Sequence, residues 1–227
     1  MQDLIKLRYP GPYPVFFIGA SAGGVRALQF LARQLPRDFP APVFMVLHRK
    51  SSHKQEKALL NELIRHKAKM RVQVPTSGDL VKAGHIYLPS PDHHLSVADN
   101  RLMQQKAPDN AHWRPSIDVL FKSGAREYNE RAVSILLTGG LDDGVEGLRE
   151  TTFHGGITIA QSPEDAYDPI LPLNALINDH PAYVLPLADI PALMCELSRF
   201  EFSQNQRAIA EQAAIAAVYK KQELMHA

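Results

Sequence analysis

The segment Gly19-Ala20-Ser21-Ala22-Gly23 fits the pattern GxSxG, in which a serine hydroxyl attacks a carbonyl carbon. Small residues around Ser21 permit a tight backbone turn, so that a substrate can approach the hydroxyl. Backbone N–H groups at the start of a following helix can stabilise the oxyanion that forms, and Ala22 supplies the first of these donors. The segment therefore predicts a nucleophile for ester or amide hydrolysis at Ser21.

A glycine-rich turn after a first strand can also bind phosphate groups, and this is the alternative for the same segment. A dinucleotide site requires GxGxxG and an acidic residue about 20 residues later. In this chain Ser21 replaces the second glycine, and the next apolar run ends in His48. The turn alone leaves both a hydrolase and a nucleotide-binding protein open.

A nucleophilic serine needs a general base, and His48 is the best-placed histidine. It directly follows the apolar run Val43–Leu47, which predicts a position at the carboxyl end of a buried strand. Ser21 also follows an apolar run, and open α/β sheets keep their sites at this edge. His53 is close in the sequence, but it lies in a polar stretch that no strand would hold in place.

The residues that could orient this base lie in Leu-Thr-Gly-Gly-Leu-Asp-Asp-Gly at Leu137–Gly144, which follows another apolar run. Asp142 and Asp143 are both candidates for the acid, and either could instead cap a helix. Gly140 is a second candidate oxyanion donor, because glycines allow a backbone N–H to point into a site. The chain order Ser, His, Asp differs from that of α/β-hydrolases and argues against that family.

Other histidines form a weaker candidate for a metal site, because their spacing fits no strong ligand pattern. The single cysteine, Cys195, excludes an internal disulfide and a multi-thiolate metal centre. The histidines of this weaker metal candidate are His85, His93, His94 and His112, together with Asp92. We therefore expect neither a metal nor a cofactor.

These candidate residues require a sheet that brings several strand ends together. Val15–Ile18 and Val43–Leu47 are continuous apolar runs, as expected for strands buried on both faces of a parallel sheet. Between them, apolar residues recur at helical spacing from Val25 to Leu35, and a second helix is predicted from about Lys54 to Ala68. The alternation predicts an α/β fold with a mostly parallel sheet flanked by helices.

The rest of the chain continues this alternation after one interruption. Between Met70 and Met103, short strands and turn residues predict a small antiparallel hairpin excursion around Asp99-Asn100. The later candidates for helices and strands are Ile117–Ala125, Val133–Leu137, Val145–Phe153, Ile157–Ala160, Tyr183–Leu185 and a helix that starts near Asp189, with Pro191 just inside it.

Three regions are expected along the chain: an N-terminal tail at residues 1–14, a catalytic domain at 15–202 and a C-terminal helical extension at 203–227. The extension is rich in Ala, Gln, Glu and Lys, which fits a solvent-exposed helix or a partner-binding helix. With 45% hydrophobic and 22% charged residues, the 227-residue chain can bury one sizeable core.

The formal net charge of +1 provides no field that would attract nucleic acid or an anionic membrane. No segment has the apolar length of a signal peptide core or a membrane span, so we expect a cytoplasmic protein without membrane insertion. The function must therefore reside in a local site.

Six blocks, taken in order, resemble the catalytic domain of the chemotaxis protein-glutamate methylesterase (CheB) family. An ordered set of this kind is far more specific than GxSxG alone. The blocks are IGASAGGVRAL at Ile18–Leu28, VLH at Val46–His48, GHIYLPSPDHHL at Gly84–Leu95, RPSIDVLF at Arg114–Phe121, LLTGGLDDGVEGL at Leu136–Leu148 and GGITIAQ at Gly155–Gln161.

The resemblance implies a doubly wound sheet and a Ser-His-Asp triad that hydrolyses γ-glutamyl methyl esters on chemoreceptor helices, with glutamine deamidation as a related activity. Carried over by motif, the triad is Ser21, His48 and Asp143, and the oxyanion donors are the N–H groups of Ala22 and Gly140. The implied partners are a methylated chemoreceptor-like protein as substrate and, further, a separate receiver or methyltransferase protein.

Three departures from the family pattern bear on regulation and substrate. No receiver domain precedes the catalytic segment, so a stand-alone form is expected. The stretch Arg49–Lys54 is polar and basic, and Asp168-Pro169-Ile170-Leu171-Pro172 replaces a GMP-like turn. Both loops are predicted to contact substrate. Two alternatives to the hydrolase remain open. One is a non-catalytic binding module that keeps the methylesterase fold, and the other is nucleotide binding at the glycine-rich turn.

Overall fold

A computed structural model of the chain describes residues 13–48, 62, 64–106 and 114–199. Strands and helices alternate through these residues as the apolar runs predict. In chain order they are β1 (Val15–Ala20), α1 (Gly24–Gln34), β2 (Val43–Leu47), β3 (Arg71–Gln73), β4 (His85–Tyr87), β5 (His93–Ala98), β6 (Arg101–Lys106), α2 (Ile117–Tyr128), β7 (Ala132–Leu136), α3 (Val145–Phe153), β8 (Ile157–Gln161), α4 (Ile170–Asn178), β9 (Tyr183–Leu185) and α5 (Ile190–Leu197).

The main sheet has seven strands in the order β3-β4-β2-β1-β7-β8-β9, and every pairing in it is parallel. The chain moves from β1 to β2 on one side and returns to β7 on the other, so the sheet is doubly wound. The prediction of a doubly wound, mostly parallel sheet flanked by helices is confirmed. The change of direction at β1 opens a crevice at the carboxyl ends of the strands, where such folds hold their ligands.

The pairing register sets which residues leave the sheet side by side. Ala20 lies opposite Leu47 of β2, and Gly19 lies opposite Leu136 of β7. The first residue after β1 is Ser21, and the first after β2 is His48. The two side chains therefore start from the same edge of the sheet, as the sequence predicts.

Strands β5 and β6 form the predicted antiparallel hairpin as a separate two-stranded sheet. Asp99 and Asn100 both have positive φ angles, 51° and 56°, as a two-residue hairpin turn with a right-handed twist requires. The Asn100 side chain accepts a hydrogen bond from the Tyr128 hydroxyl at 3.0 Å. This contact fastens the turn to the end of α2.

Alternation along β1 divides the interior into two cores. Phe16 and Ile18 pack on the side covered by α1 and α5, whereas Val15 and Phe17 pack on the side of α2 and the hairpin. All four side chains are fully buried. Burial of a side chain of this size contributes about 1.5–3 kcal/mol, so both faces of the central strand are strongly held.

Some element boundaries differ slightly from those predicted. β1 continues two residues beyond Ile18, because its pairing with β2 and β7 extends to the turn. The helix predicted near Asp189 is confirmed as α5, although the Asp189 side chain makes no capping hydrogen bond. Residues 64–67 are helical, and most of the helix predicted before Ala68 lies outside the described residues.

The predicted N-terminal tail, apart from residues 13 and 14, and the predicted C-terminal extension lie outside the described residues, as do His53 and His112. In the portion that the structure describes, no helix combines the length and the apolar character needed to cross a membrane.

We predict that Gly124→Ala destabilises the protein, because α2 packs directly on β1. A Cβ atom at residue 124 would lie 2.5 Å from Cζ of the buried Phe17 ring. The expected loss in the free energy of unfolding is about 1–3 kcal/mol, despite the higher helix propensity of alanine. Urea denaturation measures it, with Lys122→Ala on the same helix as the control. Unchanged or increased stability of Gly124→Ala would contradict this packing.

Candidate active site

Ser21 occupies a rigid turn between β1 and α1. Its N–H donates to Thr138 O at 2.9 Å, and its carbonyl accepts from Gly24 N at 2.8 Å. Gly23 has a φ of 76°, and a Cβ on Gly24 would lie 2.4 Å from Leu47 Cδ1. Glycine is thus required at both positions, at one for the backbone conformation and at the other for close approach. The structure confirms the strand, sharp turn and helix that GxSxG needs.

His48 lies beside Ser21, as predicted. Its N–H donates to Ala20 O at 2.8 Å, which extends the pairing of β1 and β2 by one residue. Its ring nitrogen Nδ1 is 3.3 Å from Ser21 Oγ. The imidazole is 5% exposed, and burial lowers the pKa of His48 to about 4. The imidazole is therefore neutral near pH 7 and can accept the serine proton.

The Asp143 carboxylate is buried and hydrogen-bonded at the N-terminus of α2. It accepts from Ser116 Oγ at 2.9 Å, from Ile117 N at 2.8 Å and from Asp118 N at 3.1 Å. These contacts make Asp143 a cap of a helix from another part of the chain, and they run to α2 rather than to His48. Burial raises the pKa of Asp143, although the three hydrogen bonds oppose this shift.

His94 is an ionisable neighbour of Asp143, and the sequence suggested for it only a weak metal site. Its Nδ1 accepts the N–H of Ser116 at 3.1 Å. Burial lowers the pKa of His94, and the charge of Asp143 opposes that shift. His94 and Asp143 therefore meet around Ser116.

The loop after β7 packs against Ser21. A Cβ on Gly139 would lie 2.7 Å from Ser21 Cβ, so only glycine permits this contact. In the described portion of the chain, the N–H groups of Ala22 and Gly140 have no hydrogen-bond acceptor. Ala22 directly follows Ser21, and Gly140 directly follows Gly139, which contacts Ser21. Of the two aspartates in this loop, Asp142 is exposed and Asp143 is buried.

Thr138 and Gln161 connect three strand ends around the site. Thr138 Oγ1 donates to Ala22 O at 2.9 Å and accepts from Asp168 N at the same distance. The Thr138 N–H donates to Gln161 Oε1 at 2.9 Å. Gln161 Nε2 donates in turn to Asp165 Oδ2 at 2.8 Å. This network positions Ala22, and sequence reasoning missed it because neither side chain is reactive by itself.

The remaining histidine candidates do not converge. His85 and His93 each contact a nearby backbone carbonyl, those of Ala83 and Pro91, at 2.7 Å. Across the described ranges, no group of three or more His, Cys, Asp or Glu side chains could hold a metal ion. Cys195 is a free, half-buried thiol.

Comparison with known proteins places this geometry in context. Residues 16–194 match the family CheB methylesterase. The chain is 35% identical over 82% of its length to "Protein-glutamate methylesterase/protein-glutamine glutaminase 2" of Anaeromyxobacter dehalogenans, and 32% identical over 86% to "Protein-glutamate methylesterase FrzG" of Myxococcus xanthus. It spans 53% and 58% of those two proteins, respectively.

A solved structure agrees with the sequence comparisons. The crystal structure of the Thermotoga maritima CheB methylesterase catalytic domain superposes with a TM-score of 0.73 at 28% identity. The match covers 83% of this chain and 99% of that domain. The fold is therefore shared over nearly the whole of the solved domain.

We predict that His48 stays neutral well below the pH at which an exposed histidine titrates. Because burial lowers its pKa to about 4, protonation of the folded protein at this residue begins only in acid. NMR titration of the imidazole resonances, assigned by their loss in His48→Gln, measures this value. A midpoint near 6.5 in the folded protein would contradict the burial seen here.

Proposed function

The chain belongs to the CheB methylesterase family, and we propose that it hydrolyses γ-glutamyl methyl esters on a chemoreceptor-type protein in the cytoplasm through Ser21, His48 and Asp143. The observation that carries the proposal is the 3.3 Å contact between Ser21 Oγ and His48 Nδ1 at the carboxyl ends of two paired strands. A neutral, buried imidazole next to a serine hydroxyl supports a nucleophile and its general base.

In the first half of the proposed reaction, Ser21 becomes acylated. His48 accepts the proton from Ser21 Oγ as this oxygen bonds to the ester carbonyl carbon. The carbonyl oxygen becomes an oxyanion, which the N–H groups of Ala22 and Gly140 stabilise by hydrogen bonds. The intermediate then collapses, its carbon–methoxy bond breaks, and methanol departs with the proton that His48 held.

Water completes the reaction by the same groups. His48 takes a proton from a water molecule as its oxygen attacks the acyl carbon. The bond to Ser21 Oγ breaks, and the proton returns from His48 to this oxygen. The products are free enzyme and a glutamate carboxylate on the protein substrate. With ammonia in place of methanol as the leaving group, the same steps deamidate glutamine.

Asp143 is proposed as the acid that favours the imidazolium form of His48. A base with a pKa of about 4 is weak, so a nearby negative charge is needed when the proton arrives. Asp143 belongs to the loop after β7, at the edge of the sheet that carries His48, and three donors hold its carboxylate in place. Such fixed partners compensate for the cost of burying a charge.

The nucleophile is tested with an organophosphonate ester, which reacts with an activated serine. We expect covalent labelling of the folded protein at Ser21, located by peptide mass spectrometry. His48→Gln should slow the labelling by at least about a hundredfold, because it removes the base. Ser21→Ala is the matched control for labelling elsewhere. Absence of a label at Ser21 would rule out the hydrolase and favour a binding module with this fold.

Asp143→Asn separates catalysis from helix capping, since asparagine keeps an acceptor but loses the charge. We predict a loss in kcat of about 10²–10⁴-fold, by analogy with other triads. Ser116→Ala removes one of the three capping donors and should cost about 1 kcal/mol of stability, with kcat changed by less than about tenfold. Steady-state kinetics and urea denaturation of both variants give the comparison. If Asp143→Asn loses stability but keeps kcat, Asp143 is only a cap.

A further inference from the structure

Helix α4 carries a stripe of large apolar side chains that face solvent. Ile170, Leu173 and Ile177 follow the spacing i, i+3, i+7 and are 49%, 40% and 68% exposed. The opposite face of the same helix is buried through Leu171 and Ala175. A surface helix normally presents polar residues on its outer face. Both faces of α4 are apolar, which is typical of a helix that contacts a partner.

Two further exposed residues extend this stripe towards the nucleophile. Leu141 is 53% exposed, and Asn174 of α4 donates through Nδ2 to its carbonyl at 2.7 Å. Tyr167 is 81% exposed, and its ring lies over Gly23 in the turn that holds Ser21. We define the apolar strip as these two residues together with Ile170, Leu173 and Ile177 of α4.

Helix α4, which carries three residues of the apolar strip, directly contacts the loop beside Ser21. The N–H of Leu171 donates to Gly139 O at 2.6 Å. A Cβ on Gly139 would meet Leu171 Cδ2 and Ser21 Cβ, each at 2.7 Å. The first turn of α4 therefore lies one residue layer from the nucleophile. A macromolecule that brings an ester to Ser21 therefore comes close to the first turn of α4.

Charged residues beside the strip indicate which charges a partner should carry. Asp168 Oδ2 lies 3.0 Å from the Cβ position of Gly140, which is the proposed oxyanion donor. Asp142 is exposed next to Leu141, and Asp165 is exposed near Tyr167. Arg26 of α1 is the cation that lines the neighbouring cavity of about 450 Å³. Three of these four described charged groups are acidic, which favours a partner with basic residues next to its apolar face.

We propose that the apolar strip is the docking surface for an amphipathic helix of the protein substrate, with its ester-bearing residue over Ser21 and a Lys or Arg near Asp168. This inference rests on the proposed function. From Ile170 to Ile177 the strip is about 10 Å long, which matches two turns of a partner helix. Such a helix would place its own apolar residues at i, i+3 and i+7 against α4.

Binding and catalysis are measured separately. The first assay is the affinity of Ser21→Ala protein for a methylated cytoplasmic fragment of a chemoreceptor from the source organism. The second is hydrolysis of p-nitrophenyl acetate by protein with Ser21 intact, which needs no docking surface. The strip variant is Leu173→Gln with Ile177→Gln, both outside the loop at residues 168–172. Met103→Gln on β6 is the control, because Met103 is 41% exposed and lies outside the strip.

The strip variant should weaken binding of the fragment by at least about tenfold, as expected for apolar contact residues. Hydrolysis of the small ester should stay within about twofold of wild type, and Met103→Gln should change neither assay. Unchanged affinity, or equal losses in the strip variant and the control, would overturn the docking surface. A wild-type dimer that the strip variant dissociates would also overturn it, in favour of a second copy. Absence of small-ester hydrolysis would count against the proposed function alone, and the binding assay would still decide the surface.

Discussion

The parallel register of β1 with its two neighbours is the constraint on which the site depends. Hydrogen bonds continue this pairing past the strands, from His48 N to Ala20 O at 2.8 Å and from Leu137 N to Gly19 O at 2.9 Å. Ser21 extends it again by donating to Thr138 O. A shift of one residue between strands would turn each following side chain to the opposite face. Ser21, His48 and the glycine loop therefore meet because the sheet pairs in one register.

Burial shifts the pKa values of both His48 and Asp143. His48 is held in an apolar environment that keeps it neutral, which suits a base but weakens its proton affinity. Asp143 keeps three donors around a buried carboxylate, and two of them are backbone N–H groups that α2 leaves open at its start. The same carboxylate thus joins the stability of a helix to the electrostatics of the cleft. A change at this residue affects both.

Much of this arrangement could be predicted from the sequence, because buried strands and amphipathic helices have distinct periodicities. The turn at Ser21, the position of His48 and the hairpin around Asp99 all follow from local patterns. The partners of Asp143 do not, since Ser116 is 27 residues away and no pattern links the two. The exposure of Ile170 and Leu173 also depends on tertiary packing, because an apolar residue on a helix normally predicts burial. Polar connections such as Thr138 to Gln161 leave no periodic signal at all.

Release of methanol from a methylated chemoreceptor fragment is the direct test of the proposed ester hydrolysis, because it reports cleavage of the carbon–methoxy bond. The fragment is prepared with isotopically labelled methyl groups, and volatile label is counted over time. We expect folded wild-type protein to release one methanol for each new carboxylate, whereas Ser21→Ala should release none above background. Equal release by the two proteins, or none by either, would contradict it.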